Sequence, residues 1–195
     1  ADVFDNLYIS DESRYRKYLN HYNVIYIDFS RLPENCTSYQ QYIRRISEGL
    51  KHDLLAAFPD ISTTNKTAVW DLLAIISAKY DTQFVFVMDE WDAVFHLSFI
   101  TDGEKEKYIL FLKSLLKDQE YVALAYITGI LPIAKYSSGS ELNMFTEFKM
   151  TSMEMFGEYF GFTDEEVDVL YDKYLHLCKD PQVSREGLRE WYDGY

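Results

Sequence analysis

Cysteine is nearly absent from this sequence: Cys36 and Cys178 are the only two in 195 residues. They lie far apart and form no CxxC pair, so neither a disulfide framework nor a zinc knuckle is supported. Two reduced thiols of a cytoplasmic protein are the plain reading. Long apolar runs are missing too. No stretch approaches the roughly 18 residues of a membrane span, and no basic-then-apolar signal opens the chain, so no membrane partner is expected. Basic residues are few, 19 Lys and Arg against 32 Asp and Glu, for a net charge of −13. Such a surface repels a phosphate backbone and argues against direct nucleic-acid binding by this segment. The zinc-protease pattern HExxH and the nucleophile elbow GxSxG do not occur, and His21, His52, His96 and His176 lack ligand spacing. No phosphate-cradling GxxxxGK[ST] is found. Asn65-Lys66-Thr67 imitates its end, but it follows Ser62-Thr63-Thr64 rather than glycines and a strand. Internal repeats and low-complexity tracts are absent.

What is present suits a folded α/β domain. Apolar residues make up 48%, with 17 Tyr and 13 Phe, enough for a real core. The length fits one domain with a small appendage. Three short, nearly continuous apolar runs read as strands buried on both faces of a parallel sheet: Asn23 to Phe29, Gln83 to Asp89 and Val122 to Thr128. A weaker run, Glu147 to Met150, adds a candidate edge strand. Amphipathic helices fall between the strands. Thr37-Ser38-Tyr39-Gln40 reads as a capping box opening one helix. A second covers roughly Thr67 to Lys79, with Val69, Leu72, Leu73 and Ile76 on one face. A third runs from about Gly103 to Lys117, boxed by Thr101 and Glu104. This alternation predicts a three-layer α/β/α core with a mainly parallel sheet over residues 1–150.

Residues 151–195 change character and read as a C-terminal helical extension. Thr163 and Glu166 form its capping box, and Phe162 and Val167 occupy hydrophobic-staple positions. Val167, Leu170, Tyr171, Tyr174, Leu175 and Cys178 form its stripe, and Pro181 follows. Asp193-Gly194 reads as a turn, so the chain is expected to stop in mid-structure. It opens on Ala rather than Met, as a processed chain or an internal piece would.

Two strand ends carry the candidate chemistry. Ligands of open α/β sheets bind beyond the carboxyl ends of the strands. The second run delivers Asp89 and Glu90 there, on opposite sides of the strand. One carboxylate there can hold a hydrated Mg²⁺ and its neighbour can activate a water for attack on a γ-phosphate. Asp92 is close enough to support them. A solvated acidic strand end that caps the next helix reads equally well from spacing alone. Thr128-Gly129 ends the third run: a hydroxyl for a phosphate or water beside a glycine permitting close approach, or an ordinary N-cap with a turn glycine. Pro59-Asp60 with Glu147-Phe148-Lys149 imitates a nuclease PD…ExK pair, at too long a separation and from a helix end. Arg44-Arg45 and the Arg14/Arg16 pair read mainly as solvated helix faces.

Four segments together carry a family resemblance: FVFVMDEWDAVF at 84–95, YITGILPIAKYSSGSELNMFTEF at 126–148, YFGFTDEEV at 159–167 and EWYDGY at 190–195. The chain resembles, over nearly its whole length, the AAA-ATPase-like family of P-loop NTPase-like domains, commonly fused to a PD-(D/E)XK nuclease domain. The resemblance implies that Asp89 and Glu90 are the Walker B acids, with Asp89 on the metal and Glu90 on the attacking water. It places Thr128 and Gly129 at the end of the sensor-like strand, against the nucleotide; Lys135 follows without a role. Family members carry a Gly-Lys-Thr phosphate loop upstream of the region resembling Leu7–Ser10. This chain is therefore expected to be an internal fragment lacking the first strand, the phosphate loop and the nuclease. The parent is expected to bind and hydrolyse ATP with Mg²⁺ and to regulate the attached nuclease; the fragment is expected to bind neither ATP nor Mg²⁺ tightly. The alternative is a catalytically inactive regulatory or protein-interaction module on the same fold.

Overall fold

The computed structural model describes residues 3–32, 35–64, 66–136, 141–149 and 161–192. The chain divides into two compact units, residues 1–145 and 146–195.

The first unit is built on a parallel sheet of three strands, β1 (Asn23–Asp28), β2 (Phe84–Asp89) and β3 (Val122–Ile127), in that spatial order. β1 and β2 are in unbroken register, so that Tyr26 lies beside Val87 and Asp28 beside Asp89. Between β2 and β3 the register slips once, next to Phe84 and Val85, and then places Val87 beside Tyr126 and Met88 beside Ile127.

Helices fill the crossovers. A short α1 (Tyr15–Tyr18) precedes β1, and α2 (Tyr39–Ala57) and α3 (Val69–Tyr80) join β1 to β2. The cap of α2 lies one residue later than the expected box. Ser38 is extended and its hydroxyl accepts from the Gln41 amide, while the Gln41 side chain accepts from the Thr37 amide at 2.8 Å. The third residue after Ser38 is Gln41, not Gln40, and that spacing decides the pairing. α3 buries Val69, Leu72, Leu73 and Ile76 as its periodicity predicts and ends at Asp81 in the left-handed region. α4 (Asp102–Leu116) joins β2 to β3; Glu104 accepts from the Thr101 amide at 2.9 Å, closing the expected box. A short α5 (Ile133–Tyr136) follows β3.

The core lies between the helices and one face of the sheet. Ile25, Ile27, Phe84, Phe86 and Met88 share it with Leu54 of α2, Leu72, Leu73 and Ile76 of α3, and Tyr108, Leu112 and Leu115 of α4. Full burial of each such side chain stabilises the fold by about 1.5–3 kcal/mol. The opposite face corrects the expectation of strands buried on both sides. Val24, Tyr26, Leu124 and Tyr126 are 63, 56, 57 and 51% exposed. Successive strand residues alternate between faces, and α2, α3 and α4 contribute their buried residues to one cluster only. Among the described residues, the second helical layer of a three-layer fold is not found.

The second unit contains α6 (Asp164–Leu177) and α7 (Arg185–Tyr192). Thr163 and Glu166 cap α6 reciprocally, as read from the sequence. Phe162 is exposed and no residue of α6 is buried. Arg185 ties α7 to the start of α6 through Asp164 and Asp168, each at 2.6 Å. The hydrogen bond from Arg185, and then the charge of Arg189, hold the Asp164 carboxyl below its usual range. Residues 147–149 are not in a strand; Met150 and the Asp193-Gly194 turn lie outside the described residues. Within the described residues, no helix is long and apolar enough to cross a membrane.

Candidate functional site

The carboxyl ends of the three strands are stitched together by their own backbones. The Phe29 amide donates to the Asp89 carbonyl (3.0 Å), the Thr128 amide to the Met88 carbonyl (2.8 Å) and the Trp91 amide to the Thr128 carbonyl (3.1 Å). Core tyrosines support the same edge from beneath. The Tyr42 hydroxyl donates to the Phe29 carbonyl at 3.0 Å, and the fully buried Tyr108 hydroxyl donates to the Trp91 carbonyl at 2.6 Å. Burial pushes both phenols up, so they remain neutral donors.

Asp89 ends β2 on the open face of the sheet. One of its oxygens accepts from the Thr128 hydroxyl and from the Glu90 amide at 3.1 Å. The other accepts from the Tyr26 hydroxyl at 3.4 Å. Desolvation and the negative charges of Asp89 and Asp28 raise the Tyr26 phenol above its ordinary pKa, so it too stays a donor. The structure thus brings Thr128 and Asp89 into direct contact, though they lie 39 residues apart in sequence.

Glu90 is held differently. Its φ is +50°, in the left-handed region. The other non-glycine residues there are Asn20, Asp81 and Asp118, types that tolerate that conformation. For a glutamate it costs about 1–2 kcal/mol. The turn that follows is closed by the Ala93 amide donating to the Glu90 carbonyl at 2.9 Å, and the Glu90 side chain is exposed, with no hydrogen-bond partner among the described residues. Strain of this kind concentrates where function fixes the backbone.

Asp92 and Gly129 lock this turn to the loop after β3. The buried Asp92 carboxylate accepts from the Ile130 amide at 3.0 Å and the Leu131 amide at 2.8 Å. A Cβ added to Gly129 would lie 2.5 Å from Trp91 Cδ1 and 2.6 Å from Asp92 Oδ1. Gly129 is therefore a packing requirement of the locked turn, and Asp92 is its clasp. Lys135 sits in α5 over the Tyr136 ring and bonds to none of these groups.

Sequence reasoning missed Asp28 and Tyr26. A signal was available: β1 also reads as an apolar run ending in Asp, and parallel register places that Asp beside Asp89. Asp28 accepts from the Ser30 hydroxyl (2.6 Å), the Ser30 amide (3.0 Å) and Arg31 Nε (2.8 Å). These bonds, the Ser30 hydroxyl foremost, hold its carboxyl below the usual range.

The donors at this edge are carboxylate and hydroxyl oxygens, the set a hard cation such as Mg²⁺ prefers. No group of three or more His, Cys, Asp or Glu that could cage a metal occurs among the described residues. Mg²⁺ does not require one, because it takes one or two carboxylates and keeps its waters and the substrate's phosphates. The residues present fit such an ion.

A parallel α/β sheet carrying a polar, acidic carboxyl edge defines the class of protein. Within that class the family is specific: the chain belongs to the AAA-ATPase-like family, described as predicted AAA-ATPase, whose model matches residues 1–138. No curated protein and no solved structure matches the chain.

Proposed function

We propose that this chain is the metal-and-water half of an ATPase. The observation that carries the proposal is the constellation at the end of β2: Asp89 bonded to Thr128, followed by Glu90 at positive φ, exposed and with no hydrogen-bond partner among the described residues. Asp89 would hold a hydrated Mg²⁺, which would neutralise charge on the transferring phosphoryl group. Glu90 accepts a proton from the water that attacks the γ-phosphorus as the bond to ADP breaks. Thr128 orients Asp89 through its hydroxyl and is proposed to sense the γ-phosphate.

The phosphate loop and a first strand are proposed to come from residues upstream. The open face of the sheet supports this, because parallel sheets are ordinarily covered on both faces. β3 supports it too, as an outer strand with no lysine or proline to protect its edge. A nuclease domain downstream would be the element that ATP turnover regulates.

The test uses the intact protein and a Glu90→Gln variant. Turnover in the variant falls at least 100-fold, the usual scale for losing a general base, while ATP binding is retained. Unchanged turnover removes Glu90 from the mechanism.

A further inference from the structure

Asp28 and Asp89 are register partners on one face of the sheet, but they are committed differently. Asp89 faces across to β1 and to Thr128. Asp28 turns back on its own chain, and all three of its hydrogen bonds go to Ser30 and Arg31. The Asp28 side chain is only 15% exposed, whereas that of Arg31 is 73% exposed. Arg31 is fixed a second time, because Arg45 of α2 donates to its carbonyl. Among the described residues nothing pairs with the two terminal nitrogens of Arg31. An exposed ion pair of this kind contributes only about 0–1 kcal/mol. Stability is a weak reason to anchor an arginine at its Nε and its backbone while leaving its outer end open.

Electrostatics supplies a stronger one. The chain carries −13, and Asp28, Asp89 and Glu90 add negative charge at this edge. A polyphosphate brought here must be met by a cation besides the metal. A guanidinium pinned by Nε still presents two nitrogens in a rigid fork that matches phosphate oxygens. Arg31 also lies beside the site, since the Asp28 that it bonds is the register partner of Asp89.

We infer that Arg31 is a phosphate-binding residue of this edge, with Asp28 anchoring its Nε so that the open end of the guanidinium receives the polyphosphate of a nucleoside triphosphate. The inference rests on the ATPase reading above and assigns that site a cation from the far side of Asp89.

Calorimetric titration of the intact protein tests it, with Mg·ATP, inorganic tripolyphosphate and adenosine as probes. Arg31→Ala weakens Mg·ATP and tripolyphosphate at least 10-fold and leaves any adenosine binding unchanged. Arg31→Lys, which keeps the charge but loses the fork, recovers part of the loss. Asp28→Asn, which loosens the anchor, weakens both phosphates less than Arg31→Ala does. If Arg31→Ala does not fold, Arg31→Gln reads the same loss with a polar side chain of similar reach. Affinities within twofold of the unaltered protein in the Ala or Gln variant overturn the inference and leave the ATPase reading standing. An unaltered protein that binds neither phosphate probe overturns both.

Discussion

Glu90 is the residue whose backbone and side chain serve different ends. Its positive φ opposes stability, while its exposed carboxylate is what the proposed hydrolysis requires. Glycine adopts that φ freely. Glu90→Gly is therefore expected to keep or raise stability, by up to about 1 kcal/mol, while abolishing ATP turnover in the intact protein. Urea denaturation and a phosphate-release assay read the two effects separately. Asp92 is expected to behave in the opposite way. Asp92→Ala strands the Ile130 and Leu131 amides. A hydrogen bond to a charged group contributes about 1.5–3 kcal/mol, so a loss of about 2–4 kcal/mol is expected in urea denaturation. Asp92→Asn keeps an acceptor oxygen and loses less. Asp28 adds a pH dependence of definite sign. Its carboxyl is held below the usual range in the folded protein, so its contribution to stability is complete above the ordinary carboxylate pKa of about 3.9. It is lost as pH falls below that value through the depressed folded pKa. Asp28→Asn therefore flattens the acid limb of stability against pH and leaves the alkaline limb unchanged.

At the scale of the element, the strands and long helices were legible because their patterns are local. The run QFVFVMD needs no partner to read as a strand, and Thr101 with Glu104 marks the start of α4 within four residues. The slip from Gln40 to Gln41 at α2 shows the limit of such signals. Thr37 and Ser38 can both cap, and only the folded backbone selects Ser38. α7 was read only as part of the helical extension, because half of its eight residues are charged and its helix is tied by Arg185 to Asp164 and Asp168, contacts 17 to 21 residues distant in sequence. The clasp from Asp92 to the loop after β3 is equally non-local, while Gly129 was legible as a close approach but not as to what approaches it. The cavity left by the missing Cβ at Gly129 is already filled by Trp91 and Asp92. Gly129→Ala is therefore expected to destabilise by about 1–3 kcal/mol, the cost of overpacking, as read by thermal or urea unfolding.

For the whole molecule, the sequence pattern separated strands from helices but could not reveal which sheet face is covered. An apolar run has the same composition whether both faces pack or one awaits a partner. Val24, Tyr26, Leu124 and Tyr126 are apolar and yet exposed. Their burial is not supplied by the described residues, and the ATPase reading assigns it to a strand and helix carrying the phosphate loop. In the 195-residue chain alone this face is expected to drive self-association. Leu124→Lys should reduce it in sedimentation experiments without a loss of stability above about 0.5 kcal/mol, the ordinary range for a surface change.

As proposed, Asp89 and Glu90 form one half of an ATP site whose phosphate-binding half lies elsewhere in the protein. Titrating Mg·ATP in parallel into the 195-residue chain and into the intact protein tests it most directly. No measurable heat of binding is expected with the chain, binding is expected with the intact protein, and Mg²⁺-dependent binding is expected to weaken when Asp89 is replaced by Asn. Micromolar binding by the chain alone, or an Asp89→Asn protein that binds Mg·ATP as the unaltered protein does, would contradict it.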